Sequence, residues 1–194
     1  VDSSLRPEYS SKTKRSSFYL SSPKNRVFLL WKYPVYGNEK EVSVDFILEQ
    51  LIDSSGGVLN DFFPLVSGWT ENSSNAGWMV IEIQCDDPIR ALRTIEAVIQ
   101  EPSVWIKEEE LLYFAKKSEA ILAKLQIKNT ERARLLSQCS QSTYVEDCYS
   151  WEIARRRNMT YSDILSDVER YFSLQNASLI WMGEVNYFDG QELP

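Results

Sequence analysis

Three stretches of this chain, Arg26–Tyr33, 78–85 and 177–185, read as buried strands, and long tracts with apolar residues at helical spacing lie between them. A domain with few strands and long covering helices is expected to be α+β: a small, mostly antiparallel sheet covered on one face by helices. The first strand, R-V-F-L-L-W-K-Y, is stopped by Pro34. From 39 to 53, Val42, Val44, Phe46, Ile47, Leu48, Leu51 and Ile52 repeat with helical period, and Ser54-Ser55-Gly56-Gly57 ends that helix. A second, short helix is expected over 58–66, limited by Pro64, and 67–77 reads as a polar, turn-rich connection.

After the strand at 78–85, Asp86-Asp87-Pro88 supplies an N-cap acid and a first-turn proline for a helix whose buried stripe is Ile89, Leu92, Ile95, Val98 and Ile99. A long amphipathic helix follows over 107–128, opening in acid at Glu108, Glu109 and Glu110, in agreement with the helix dipole. Shorter helices are expected over 130–140 and 145–156. Thr160-Tyr161-Ser162-Asp163 resembles a capping box ahead of Ile164, Leu165, Val168, Tyr171 and Phe172. Residues 1–25, rich in Ser, Lys and Arg around Phe18-Tyr19-Leu20, read as an extended arm or linker, and 26–190 as a single domain.

The 194 residues include no histidine, which removes the commonest metal ligand and general base, so no Ser-His-Asp, Cys-His or H-E-x-x-H arrangement can exist within the chain. A net charge of −7 argues against a nucleic-acid surface, since phosphate binding rests on clustered cations. Three cysteines, Cys85, Cys139 and Cys148, lack a C-x-x-C spacing and read as packed or free thiols. Asn72, Asn158 and Asn176 head glycosylation sequons that matter only in a secretory setting. No apolar run approaches the about 18 residues of a membrane span, and an intracellular setting, cytosolic or organellar, is favoured.

Each remaining cluster has a structural explanation. Glu108 to Glu110 and Asp86-Asp87 sit at helix N-termini, where capping and dipole roles outweigh a carboxylate metal site. Arg155-Arg156-Arg157, with Arg132 and Arg134 upstream, read as a solvated helix C-terminus rather than a patch for an acidic partner. Of the six tryptophans, Trp31, Trp78 and Trp181 lie inside strands, so core packing is the default over base stacking. Gly56-Gly57 follows a helix and precedes no G-K-[S/T], which excludes a phosphate loop.

Several phrases, in their order, resemble one half-domain of the pitrilysin/insulinase zinc metallopeptidases. Trp105-Ile106-Lys107-Glu108-Glu109-Glu110-Leu111 is similar to the acidic opening of that family's long helix, Met159-Thr160-Tyr161-Ser162-Asp163-Ile164 to a later helix start, and L-I-W-M-G-E-V at 179–185 to its terminal strand. The stretch 47–65 is similar to the family's first helix and following turn. Leu65-Val66-Ser67-Gly68-Trp69, with Gly77-Trp78, is closest to the presequence-protease-like branch. The resemblance covers roughly residues 26–187.

It implies that Phe46, Glu49 and Gln50 occupy the degenerate positions of the zinc motif H-x-x-E-H. A phenylalanine cannot coordinate zinc and an amide is a poor substitute for imidazole, so no catalytic or metal-binding residue is expected here. Pro64 and Glu71 stand where noncatalytic halves often place a substrate-facing arginine and tyrosine, so those contacts do not carry over. The implied role is a noncatalytic domain forming part of a peptide-binding chamber. Its partners would be a catalytic half-domain or subunit that holds the zinc cofactor, and the peptide substrate. The alternatives are a pseudo-enzyme or scaffold subunit of the same fold, and a stand-alone binding module with ferredoxin-like layering.

Overall fold

The computed structural model describes residues 24–34, 41–53, 56–72, 76–127, 130, 132, 133, 136 and 148–183. Among these residues four strands form one antiparallel sheet: β1 (Arg26–Tyr33), β2 (Val66–Asn72), β3 (Gly77–Gln84) and β4 (Ala177–Met182), in the order β2-β3-β1-β4. The helices are α1 (Glu41–Ile52), α2 (Pro88–Gln100), α3 (Pro102–Trp105), α4 (Glu108–Ile127), α5 (Cys148–Arg157) and α6 (Tyr161–Tyr171). The α+β expectation holds, with α1, α2 and α6 packed on one face of the sheet.

Period-two alternation decides which face is covered. Val27, Leu29, Trp31 and Tyr33 of β1 and Met79, Ile81 and Ile83 of β3 point at the helices and are almost fully buried. They meet Val44, Phe46, Ile47 and Leu51 of α1 and Ile164, Val168 and Phe172 in and just after α6, forming one core. Burying each such side chain stabilises the fold by roughly 1.5–3 kcal/mol before its ordering entropy is counted.

The caps behave as their residues predict. Asp87 accepts a hydrogen bond from the Arg90 amide at 2.9 Å and Pro88 opens α2, while the Thr160 hydroxyl accepts from the Asp163 amide at 3.2 Å to start α6. Three expectations need correction. The stretch 67–77 is not merely a turn-rich connection, because β2 runs from Val66 to Asn72. The helix expected over 58–66 shrinks to a 3-10 turn at Val58–Asp61, since Val66 is already committed to the ladder with Ile83. Helix α3 is an unforeseen single turn opened by Pro102. The arm over 1–23, most of the helix expected over 130–140, and the last residues of the strand expected to reach 185 lie outside the described residues.

β2 was hard to see because its inward positions are Val66, Gly68 and Thr70 rather than a run of large apolar residues. α1 lies so close that only glycine fits at the centre: a Cβ on Gly68 would meet the Val80 carbonyl oxygen at 2.8 Å and the Cδ1 atoms of Ile52 and Leu48 at 2.9 Å. The two side chains can yield, but the carbonyl belongs to the ladder and cannot. Gly68→Ala should therefore destabilise the protein by about 1–3 kcal/mol in urea titration, the range for overpacking a tight contact; an unchanged midpoint contradicts this account of the α1 to β2 approach.

Candidate functional site

Helix α1 carries the residues singled out from the sequence, and the structure sends them in different directions. Phe46 is fully buried, its ring meeting Phe114 of α4 edge to face at a centroid distance of 5.3 Å and 71°. Glu49, one turn on, accepts a hydrogen bond from Lys117 Nζ at 2.8 Å, and the same ammonium lies 3.6 Å from Asp53 Oδ2. The bond to Glu49 holds the Lys117 ammonium above its ordinary pKa. Gln50 is half-buried. The seam between α1 and α4 is thus closed by an aromatic pair on one side and an ion pair on the other.

A second polar cluster escaped sequence analysis. Asp45, beside Phe46 on α1, accepts from the Thr70 hydroxyl of β2 at 3.4 Å and lies in the field of α5. Burial pushes its carboxyl up from 3.8, against the pull of the Arg156 and Arg155 guanidiniums. On α5, Glu152 is only 2% exposed and accepts from Arg156 and, at 3.5 Å, from Arg155, whose guanidinium stacks 4.2 Å over the Trp151 ring. The reading of Arg155 to Arg157 as a solvated helix end holds for the exposed Arg157, partly for Arg156, and is corrected for Arg155. Arg155 is buried with Glu152, and Arg157 reaches across to Glu119 of α4 with contacts of 2.6 and 3.0 Å. A third polar contact, Ser43 donating to Asp167 Oδ2 at 2.8 Å, ties α1 to α6 in the interior. The available signal was one acid, Asp45, inside an apolar stripe, but its partners are distant in sequence.

The acidic clusters serve helix starts. Asp87 caps α2, and Glu108 to Glu110 occupy the first turn of α4. Among the described residues no group of three or more His, Cys, Asp and Glu side chains is placed to hold a metal ion, and no helix is long and apolar enough to cross a membrane. Burial, then Asp87 and Asp86, push the Cys85 thiol up to about 11, so at neutral pH it is a thiol rather than a nucleophilic thiolate.

The other face of the sheet has no helix over it among the described residues. The register sets Trp69, Val80 and Leu30 in one row and Phe28 and Ile180 in the next, with Glu82 and Ser67 completing the latter. Lys32 lies opposite Trp78, which lies opposite Glu71. This face is an apolar band edged by charges, and Trp69 on the edge strand is 39% exposed.

No family model matches the sequence, and no curated protein matches it. Solved structures do match in shape. A protease from Helicobacter pylori superposes with a TM-score of 0.76 at 11% identity, over 88% of this chain and 44% of its own. The inactive peptidase domain of a putative zinc protease from Bordetella parapertussis gives 0.69 at 16%, over 91% of this chain and 98% of its own. The fold is that of an M16-like peptidase domain. It is shared with inactive domains of that group and also with a chain of complex III from Candida albicans, at a TM-score of 0.68 and 10% identity over 90% of this chain and 47% of that one. The chain thus spans less than half of the H. pylori protease.

Two measurements probe the site. Phe46→Ala should cost about 3–5 kcal/mol in denaturant unfolding, the penalty for emptying a buried aromatic position; a cost below 1 kcal/mol contradicts the Phe46 to Phe114 packing. The raised pKa of Asp45 gives stability that is fully present below the unfolded value of 3.8 and declines as pH rises through the folded value above it. Asp45→Asn should remove that decline, so urea midpoints measured between about pH 4 and pH 7 should fall less for the variant than for the wild type. An equal or steeper fall refutes the direction.

Proposed function

We propose that this chain is a noncatalytic domain of a pitrilysin/insulinase-like zinc metalloendopeptidase, forming one wall of a peptide-enclosing chamber while another domain or subunit holds the zinc. The apolar rows on the far face of the sheet, where Trp69, Leu30, Phe28 and Ile180 are at least partly exposed around buried Val80, carry this reading. A partly exposed surface bounded by β2, the edge strand among the described residues, suits an extended peptide, which can meet both side-chain rows and backbone.

Helix α1 supports the noncatalytic part. On the proposed register, Phe46 and Gln50 stand where two imidazoles would grip zinc, and Glu49 where a general base would stand. Phe46 is packed into hydrocarbon against Phe114, and Glu49 is engaged by the Lys117 ammonium at 2.8 Å. The contribution to catalysis would be enclosure: excluding water and selecting substrates by size and charge when the two halves close. The likeness to inactive peptidase domains supports the same assignment.

A second reading, a scaffold subunit that keeps the fold for assembly, is favoured by the likeness to the complex III chain. Metal analysis and peptide cleavage separate the two. The chain alone is expected to hold no zinc and cut no peptide, whereas the assembly that contains it together with an H-x-x-E-H domain is expected to do both. In that assembly Trp69→Glu should raise KM several-fold with kcat little changed, since it alters the wall and not the zinc. Stoichiometric zinc and cleavage by the chain alone would overturn the reading, and an assembly without peptidase activity would favour the scaffold.

A further inference from the structure

The far face of the sheet carries two charges that the chamber reading does not use. Lys32 of β1 and Glu71 of β2 flank Trp78 of β3 on opposite sides, all three in one row. Neighbouring strands lie about 4.8 Å apart, so the backbones that carry the two charges stand about 10 Å from each other. Among the described residues neither side chain has an ion-pair or hydrogen-bond partner. The other charged side chains of the strands, Arg26 and Glu82, are already joined to each other at 3.0 Å.

A free cation and a free anion set on either side of one aromatic ring are self-complementary. A second copy, turned by 180° about an axis that runs along β3 between the two faces, brings Lys32 of each copy over Glu71 of the other. One rotation thus makes two opposite-charge contacts, as an isologous interface requires. The same axis passes over Val80, whose neighbours in the row are Trp69 and Leu30, so Trp69 of each copy comes over Leu30 of the other. Phe28 and Ser67 flank Glu82 and are exchanged in the same way, while Glu82 nears its own copy with the Arg26 guanidinium beside it. Face-to-face sheets pack about 10 Å apart with interdigitated side chains, a spacing that Lys32 and Glu71 can bridge. Trp69, 39% exposed, and the partly exposed Trp78, Phe28 and Leu30 are of the types that fill the centre of protein interfaces.

We propose that, apart from a catalytic partner, this chain forms a two-fold dimer through the far face of its sheet, with Lys32 and Glu71 paired across the axis. Three strands of about seven residues give a contact on the order of 1,000 Å² over both copies, the low end for a specific interface, so the dimer is a weak and reversible one. The inference rests on the charges and symmetry of the face and not on peptide binding. Where the chamber reading also holds, the second copy covers the wall, and a catalytic domain has to displace it before the wall can meet a peptide.

The test is sedimentation velocity on the full chain, with charge-swapped variants. Wild type should pass from monomer to dimer as its concentration rises, with a dissociation constant on the order of 1–100 µM. Lys32→Glu leaves only acids at the two positions and Glu71→Lys only bases, so each variant should keep the wild-type Tm while its self-association weakens at least about tenfold. Mixed in equal amounts, the two variants should associate again, because every contact across the axis then joins opposite charges. Wild type that stays monomeric, as when a masked wall or another occupant is all the face serves, overturns the proposal. So does a dimer that both variants retain, which would use another face, or a mixture of the two variants that associates no better than either alone. Since no readout involves zinc, peptide or cleavage, its failure is distinguishable from failure of the chamber reading.

Discussion

The fold depends on the inner face of β1. Val27, Leu29, Trp31 and Tyr33 are buried to 2% exposure or less, and β1 alone pairs with both an early strand, β3, and the last one, β4. Trp31 ties the two ends of the domain together. Its indole donates to the Ser173 carbonyl at 2.9 Å across 142 residues of sequence, and its ring meets Phe172 edge to face. Pairing partners this far apart must bear a large loop-closure cost before any ladder bond repays it. Local devices lower that cost by delivering preformed pieces: the Asp87 cap and Pro88 of α2, the Thr160 cap of α6, and the antiparallel β2 to β3 pair joined by a short connection.

Those local devices are why much of the fold was legible in the sequence. The strand at Arg26–Tyr33, the strand beginning near Trp78, and the helices after Asp87 and Thr160 each carry their own signal in periodicity or capping, and each forms within a residue or two of where it is expected. β2 carries no such signal because its shape is imposed from outside. An edge strand pressed by α1 needs Gly68 where apolar bulk would normally advertise a strand, and Thr70 where Asp45 needs a hydroxyl. Periodicity reports a residue's exposure to water, and it fails where another element, rather than water, decides the side chain.

The same limit applied to the candidate site. The order of phrases was enough to suggest the half-domain fold, and the matching structures share that fold. The contacts that α1 makes were not legible. Asp45, Glu152 and Arg155 are ordinary surface residues by type, and their burial together follows from α5 packing against α4, which then swings Glu152 and Arg155 inward. A buried carboxylate with two guanidiniums is a costly arrangement, and replacing such clusters by hydrocarbon is often neutral or stabilising. What the cluster supplies is direction: Glu152 reads the register of α5, and Thr70 with Asp45 reads the position of β2 against α1.

Helix α1 is therefore spent on assembly. Asp45 faces β2 and α5, Glu49 faces α4, Ser43 faces Asp167 of α6, and Phe46 fills the seam with Phe114. Ser43, Asp45 and Glu49 are each engaged by a neighbouring element, and moving any of them breaks a contact that orients that element. A catalytic helix is built the opposite way, with its polar groups aimed into a cleft and supported from behind. The apolar rows on the far face of the sheet are a surface that α1 does not organise. On the proposed chamber reading, contacts that fix α1 against its neighbours suit the role, since a wall that closes around a peptide has to keep its shape.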